Sequence, residues 1–169
     1  MPIEWILLLC LVIAIAVFAF IRLAQFRGKV IDKADTKRQE RRIRELAEGA
    51  YAVTPEEFFL MRERSFGDPQ TPLYEEDQDF RGVYVLFNED KNKYYVGQGL
   101  RVLSRVNNHF TGRGNGDVYA DYKYGDAFTI RIIPLAGSGA DSLNQLERDT
   151  IGYYDAFSSG YNKTRGNQD

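Results

Sequence analysis

The chain has a single cysteine in 169 residues, so a disulfide framework and a cysteine-based zinc site are both excluded. That residue, Cys10, lies inside an apolar run, which suits a reducing, cytoplasmic setting. The chain also lacks a positive surplus. Lys and Arg number 22 against 24 Asp and Glu, for a net charge of −2, where a phosphate-binding surface wants a basic balance. The average hides a block arrangement. Residues 22–49 carry nine basic and five acidic side chains, residues 50–80 two and eight, and residues 81–169 eleven and ten. An acidic middle segment therefore separates a basic region from a neutral to slightly basic carboxy-terminal one. At 44% hydrophobic and 14% aromatic, the chain has material for one small core and not for two full domains.

Residues 5–21 contain no charge and no polar side chain beyond Cys10, and are flanked by Glu4 and Arg22. At about 1.5 Å per residue, a helix of that length with its flanks spans a hydrocarbon core of about 30 Å. A cleaved secretory signal fits less well. Glu4 and no Lys or Arg precede the run, the run is long for such a signal, and no small-x-small cleavage site follows it. The expectation is an uncleaved, single-pass helix in the plasma (inner) membrane, in contact with its lipids. Arg22, Arg27, Lys29, Lys33, Lys37, Arg38, Arg41, Arg42 and Arg44 follow it, and positive flanks stay on the cytoplasmic side, which places the carboxy-terminal domain in the cytoplasm.

Residues 29–48 read as a solvated helix or a flexible tether. Their positive charges suit either anionic headgroups or a plain juxtamembrane spacer. Thr54, Pro55 and Glu57 mark a helix start, with a capping Thr, Pro in first place and Glu three residues after the cap. That helix should end by Gly67, and residues 68–79, with two prolines and five acids, read as a linker. The expected organisation is a transmembrane anchor over 1–22, a basic tether, short helix and acidic linker over 23–80, and a folded domain over 81–169.

Beyond Phe80 the pattern is compact α/β. Residues 82–87 and 93–97 read as strands around a polar turn at 88–92, forming a hairpin. Residues 100–110 read as a helix with Val102, Leu103, Val106 and Phe110 on one face. A short helix is expected around 118–124, a third strand over 128–135, and a closing helix over 142–157 with Leu143, Leu146, Ile151, Tyr154 and Phe157 inward.

Glu147 lies inside the apolar stripe of that closing helix, one turn from Leu143 and from Ile151. A buried carboxylate is costly unless paired or bound to a metal. An Arg-paired core Glu and a metal ligand both satisfy that requirement. Arg101, Arg105 and His109 form a row one turn apart beside the apolar face of helix 100–110, where a solvated flank would look the same. Together with an inward Glu, Arg105 and His109 provide what phosphoryl transfer needs: a charge stabiliser, a hydrogen-bond partner and a ligand for Mg²⁺.

Two tripeptides, Gly82-Val83-Tyr84 and Tyr95-Val96-Gly97, stand ten residues apart on adjacent expected strands. Alone, their tyrosines read equally as alternating strand residues. Arg105 follows Gly97 by eight residues, His109 comes one turn later, Glu147 sits on the last helix, and Gly160-Tyr161-Asn162 follows. In this order and spacing, residues 81–164 resemble the GIY-YIG nuclease superfamily, with Val for Ile in both tripeptides. Gly112-Arg113-Gly114-Asn115 and Tyr122-Lys123-Tyr124-Gly125-Asp126 also resemble the linking segment of some members.

The resemblance implies a small α+β domain of the α/β class, a three-stranded, mainly antiparallel sheet flanked by helices. It implies a DNA endonuclease, with RNA also allowed, using Mg²⁺ or Mn²⁺ and no small-molecule cofactor. Tyr84 would take the proton of the attacking water, or orient it, and Tyr95 would position water or phosphate, in roles the two could exchange. An unperturbed phenol titrates near about 10, so Arg105 and a metal ion would have to favour the phenolate. Arg105 would stabilise charge on the phosphate, His109 would support a tyrosine or the phosphate, and Glu147 would hold the metal. Asn162 would be a phosphate contact or a structural clamp.

Arg101, Arg113, Lys123, Lys163 and Arg165 are candidates for sequence-independent phosphate contacts, although each also reads as an ordinary surface charge. Anchoring at a membrane would suit cutting of foreign or incoming DNA. A competing reading is a non-catalytic nucleic-acid-binding or adaptor module on the same fold, against which the complete residue set argues. A membrane scaffold built on the basic tether accounts for residues 1–49 but not for Glu147.

Overall fold

The computed structural model describes residues 3–63 and 79–167, with the side chains of residues 3–16, 28, 30–32, 34, 62 and 63 outside that description. The elements in order are α1 (Ile3–Gly49), α2 (Pro55–Glu63), β1 (Gly82–Asn88), β2 (Lys93–Gly99), α3 (Val102–Phe110), α4 (Gly116–Lys123), β3 (Phe128–Pro134) and α5 (Leu143–Tyr153). They fall into two compact units, Met1–Arg41 and Arg42–Asp169.

In the first unit α1 is continuous, so the helix and not the flexible tether is what its Ala, Glu, Lys, Arg and Gln content produces. Val17, Phe18, Phe20, Ile21, Leu23 and Phe26 are exposed along it. Among the described residues no helix is long and apolar enough to cross a membrane. Most of the apolar run 5–21, expected as the anchor, lies outside the described side chains, and the structure gives the anchor no support. The expected end of the α2 helix at Gly67 and the acidic linker, up to residue 78, also lie outside the described residues.

The second unit is built on an antiparallel sheet in the order β2-β1-β3. β1 is central and buried on both faces, and its alternation sorts the core. Tyr84 and Leu86 face Val102, Val106, Phe110, Val118, Phe128 and Ile130, while Val83 and Val85 face Ile43, Leu143, Leu146 and Ile151. The compact unit starts well before residue 81. Ile43 and Ala47 at the end of α1, and Val53 and Phe58 beyond it, are core residues, although the sequence places them in a tether and short helix. Arg42 fixes that segment, donating to Asp149 at 2.7 Å and to the Gly139 carbonyl at 2.6 Å.

Local signals explain most helix starts. Thr54 and Glu57 exchange hydrogen bonds as a capping box, Glu57 N to Thr54 Oγ1 at 3.2 Å and Thr54 N to Glu57 Oε2 at 2.8 Å. Ser142 caps α5. Two boundaries differ from expectation. α3 begins at Val102 because Asp79, across the chain, accepts from the amides of Leu103 and Ser104 at 2.8 Å each, and Leu100 is left exposed. α5 ends at Tyr153, and the chain then turns through Asp155 in the left-handed region (φ 49°). The turn buries Ala156 in place of Phe157, which is exposed and not inward.

Both sheet edges are partly covered. Val53 bridges to Ile130 on the outer edge of β3. On the outer edge of β2, Tyr161 N donates to Tyr94 O at 2.8 Å, and Asn162 pairs with both backbone groups of Val96. Among the described residues that cover flanks Tyr95, pairing with Tyr94 on one side of it and Val96 on the other.

Candidate active site

The two tripeptides lie side by side because β1 and β2 pair in a register that sets Tyr84 opposite Gly97. A β-carbon at 97 would collide with the ring and hydroxyl of Tyr84, so the glycine is what allows the phenol to lean across β2. Tyr95 lies on the same face. Its ring centroid is 6.1 Å from that of Tyr84 and 4.9 Å from that of His109 on α3, and Tyr84 and His109 are 5.2 Å apart. Tyr84 Oη is 2.7 Å from His109 Nε2, and a hydrogen bond also joins the two tyrosine hydroxyls.

His109 is held from the other side. The backbone N–H of Asn115 donates to His109 Nδ1 at 2.9 Å. The loop can approach this closely because residue 114 is glycine: a β-carbon there would strike His109. Asn115 also caps α4, its Oδ1 accepting from the amides of Asp117 at 2.9 Å and Val118 at 3.1 Å.

Burial raises the Tyr84 hydroxyl far above the ordinary phenol range. Burial also raises Tyr95, opposed by the Arg105 charge and by hydrogen bonds from Tyr84 and the Asn115 side chain, while the Glu147 charge raises it further. His109 is lowered to about 4, first by burial and then by Arg105, so it is neutral near pH 7. Arg105 reaches in from the exposed side of α3 to hydrogen-bond Tyr84. Tyr84, Tyr95, Arg105 and His109 are thus brought together.

Glu147 closes the site from α5 and is only 7% exposed. Burial raises its carboxyl, opposed by amide donors: Asn167 N and Gln98 Nε2, each 3.2 Å from Oε2, and the backbone N–H of Gln98. Gln98 Nε2 also donates to Asn144 Oδ1 at 2.7 Å. The hydrogen bonds on the buried carboxylate come from neutral amides, and the Arg148 charge also lowers it. Among the described residues no three His, Cys, Asp or Glu side chains gather into a metal-binding cluster. A lone carboxylate with neutral donors does fit one hydrated Mg²⁺ or Mn²⁺ completed by waters and substrate phosphate oxygens.

Four of the other candidate contacts have a neighbour within the chain, and two are exposed. Asn162 clamps Val96, Oδ1 accepting from N at 2.9 Å and Nδ2 donating to O at 2.7 Å. Lys163 pairs with Asp117 at 2.8 Å, Lys123 lies 6.0 Å over Tyr119, and Arg165 lies 5.3 Å over Phe157. Arg101 and Arg113 are exposed at the two ends of α3 and its following loop. Sequence reasoning passed over Asn115, Gln98 and Asn144. Only the Gly114-Asn115 pair before a helix carries a local signal, a capping Asn.

The family model for the GIY-YIG catalytic domain matches residues 80–162, which supports the superfamily for that span and, with it, a nuclease-type function. No curated protein and no solved structure matches the chain.

Proposed function

With the GIY-YIG domain as premise, we propose that the chain is a divalent-metal-dependent endonuclease that hydrolyses phosphodiester bonds in DNA. The observation that carries this reading is one half-buried phenol, Tyr95 on the edge strand β2, under the opposed charges of Arg105 and Glu147. A tyrosine that has first given its own proton to solvent takes, as phenolate, a proton from water as the water oxygen bonds to phosphorus. The phosphorus–oxygen bond on the far side breaks, and the departing oxygen takes a proton from solvent. Arg105, a fixed cation already within hydrogen-bond reach of Tyr84, stabilises the charge that grows on the phosphate oxygens. Glu147 would hold the divalent ion, which would supply Lewis-acid stabilisation of the phosphate and leaving oxygen. Glu147 raises Tyr95, so neutralising the carboxylate favours the phenolate.

The apolar run 5–21 is proposed to hold this nuclease at the inner face of a membrane with the domain in the cytoplasm. Support comes from its composition, the basic flank that follows, and the exposed Phe18, Phe20 and Phe26. A reporter fused after residue 169 should be active in cytoplasm, and recovery of a secreted, shortened chain would overturn this topology.

Purified full-length chain incubated with plasmid, single-stranded DNA and RNA, with Mg²⁺, Mn²⁺ or chelator, tests the activity. Metal-dependent cuts in DNA that vanish in Glu147→Gln are expected. Binding without cutting under every condition would favour the non-catalytic module instead.

A further inference from the structure

We infer that residues 165–167 and the Gln98 side chain form a clamp on the Glu147 carboxylate, and that Gln98 and Gly166 are positioning residues for the divalent ion. The inference rests on the reading of Glu147 as the metal ligand. The GIY-YIG match ends at residue 162, so half of the clamp lies beyond it.

A glutamate carboxylate sits at the end of three rotatable bonds, so a single ligand of this kind is aimed only by what holds its oxygens. Two elements hold this one. From β2, Gln98 Nε2 donates to Glu147 Oε2 at 3.2 Å and to Asn144 Oδ1, one turn earlier on α5, at 2.7 Å. Both amide hydrogens are then in use, and the carboxamide is fixed across two residues of one helix. From the carboxy-terminal segment, Asn167 N donates to the same Oε2 at 3.2 Å. The donors are neutral, so they direct the carboxylate without pairing off the charge that a cation needs.

Three successive residues fasten that segment. Arg148 Nη1 donates to Asn167 O at 2.7 Å, so the cation next to Glu147 on α5 is engaged in holding the residue whose N–H reaches the carboxylate. Gly166 adopts φ 99°, in the left-handed region. A β-carbon there would lie 2.9 Å from Arg148 Cγ, 3.3 Å from Ile151 Cδ1 and 3.4 Å from Glu147 Oε2, so only glycine lets the backbone lie this close to the carboxylate. Arg165 is stacked 5.3 Å over Phe157, which gives that exposed ring a partner. Donors that merely satisfied a buried carboxylate would be lost at a cost in stability alone. Donors that aim it are lost at a cost in metal affinity.

Mn²⁺ binding to the full-length chain without nucleic acid, followed by water-proton relaxation, reads this difference directly, with Glu147→Gln defining the background. Gly166→Ala, which pushes the segment off the carboxylate, and Gln98→Met, which keeps length and removes the donor, should each weaken binding about tenfold or more, as for a lost outer-shell partner. Gly125→Ala is the control, since Gly125 has a similar φ of 104° and nothing within 4 Å of the added carbon. It should melt earlier, as Gly166→Ala does, yet bind Mn²⁺ like the wild type. Wild-type affinity in both Gly166→Ala and Gln98→Met would overturn the clamp, and so would an equal loss in Gly125→Ala. A wild type that binds no more Mn²⁺ than Glu147→Gln would overturn the clamp and the metal reading together. Weakened Mn²⁺ binding in both variants of a chain that cuts no nucleic acid would uphold the clamp and overturn the nuclease reading.

Discussion

Tyr84 and Asn88 lie on the same face of β1, each buried, and each anchors a polar network, yet the two networks are finished differently. At the hairpin end, Asn88 Nδ2 donates to Asp126 at 2.7 Å and to Tyr161 at 2.8 Å, and its Oδ1 accepts from Lys91 N at 2.9 Å. Tyr161 donates to Asp121 at 2.6 Å, and Lys91 pairs with both carboxylates. Every charge there is answered by another from the same chain. At the Tyr84 end the phenols and imidazole satisfy one another, but the charges of Arg105 and Glu147 act on the same phenol, Tyr95, in opposite senses. Burial raises the Tyr161 hydroxyl as it does that of Tyr84. A displaced titration therefore does not by itself distinguish a site from a strut. What distinguishes them is opposite charge acting on one phenol of an edge strand.

The largest effect expected from this difference is at Arg105. Arg105→Ala should lower single-turnover cleavage by about a hundredfold or more, the scale of a lost transition-state charge stabiliser. Its melting temperature should barely move, because the side chain is exposed. A variant that melts early and cuts normally would make Arg105 part of the scaffold, like Lys91.

Next comes His109, which is fully buried and titrates at about 4, against an ordinary value of 6.5. Between these values the unfolded chain binds a proton that the folded chain does not. Stability should therefore fall as pH drops from about 6.5 towards 4, by up to about 3 kcal/mol, and show no further change from this group below 4 or above 6.5. Denaturant titrations across this range should give a slope that His109→Gln removes. A wild type whose stability is flat from pH 6.5 to 4 would contradict a neutral, buried imidazole.

A smaller effect is expected at the other network. Asn88→Ala leaves Asp126 and Tyr161 short of a donor and should cost about 1–3 kcal/mol of stability. Cleavage by the folded fraction should be unchanged, and a large rate defect at full folding would erase the distinction between the two ends.

The residues legible in the sequence are those whose partners are near in sequence or whose chemistry is unusual for their place. Thr54 and Glu57 announce a cap within one turn, and Glu147 stands out as a carboxylate in an apolar stripe. The tyrosine pair is legible because a hairpin register converts spacing into contact. Residues whose work depends on distant backbone are not legible. Asp79 looks like linker acid until α3 presents its free amides, Asn162 reads as a phosphate contact or a clamp until its bonds to Val96 are seen, and Asn115 acts on His109 through an N–H that every residue but proline has. Ile43 reads as a tether residue because a helix that passes from solvent into a core shows no change of period where it enters.

The smallest effect separates Arg101 from Arg105, neighbours in one row on α3. Arg101 occupies the N-cap position of α3 and is exposed, where the helix dipole is positive and a cation gains nothing from it. The Asp79 carboxylate on the adjacent amides offsets that field, which lets a cation remain at this end facing solvent. A phosphate passing the mouth of the site would meet Arg101 as one exposed charge among several. Arg101→Ala should then weaken nucleic-acid binding only a few-fold, less than about 1 kcal/mol, and lower the slope of log affinity against log salt by about one. The deficit should be widest at low salt, where the released counterion counts most, and the rate at saturating enzyme should stay near that of the wild type. A rate loss in Arg101→Ala as large as that in Arg105→Ala would place both guanidinium groups on the reacting phosphate, and the assignment of a single charge stabiliser to this site would fail.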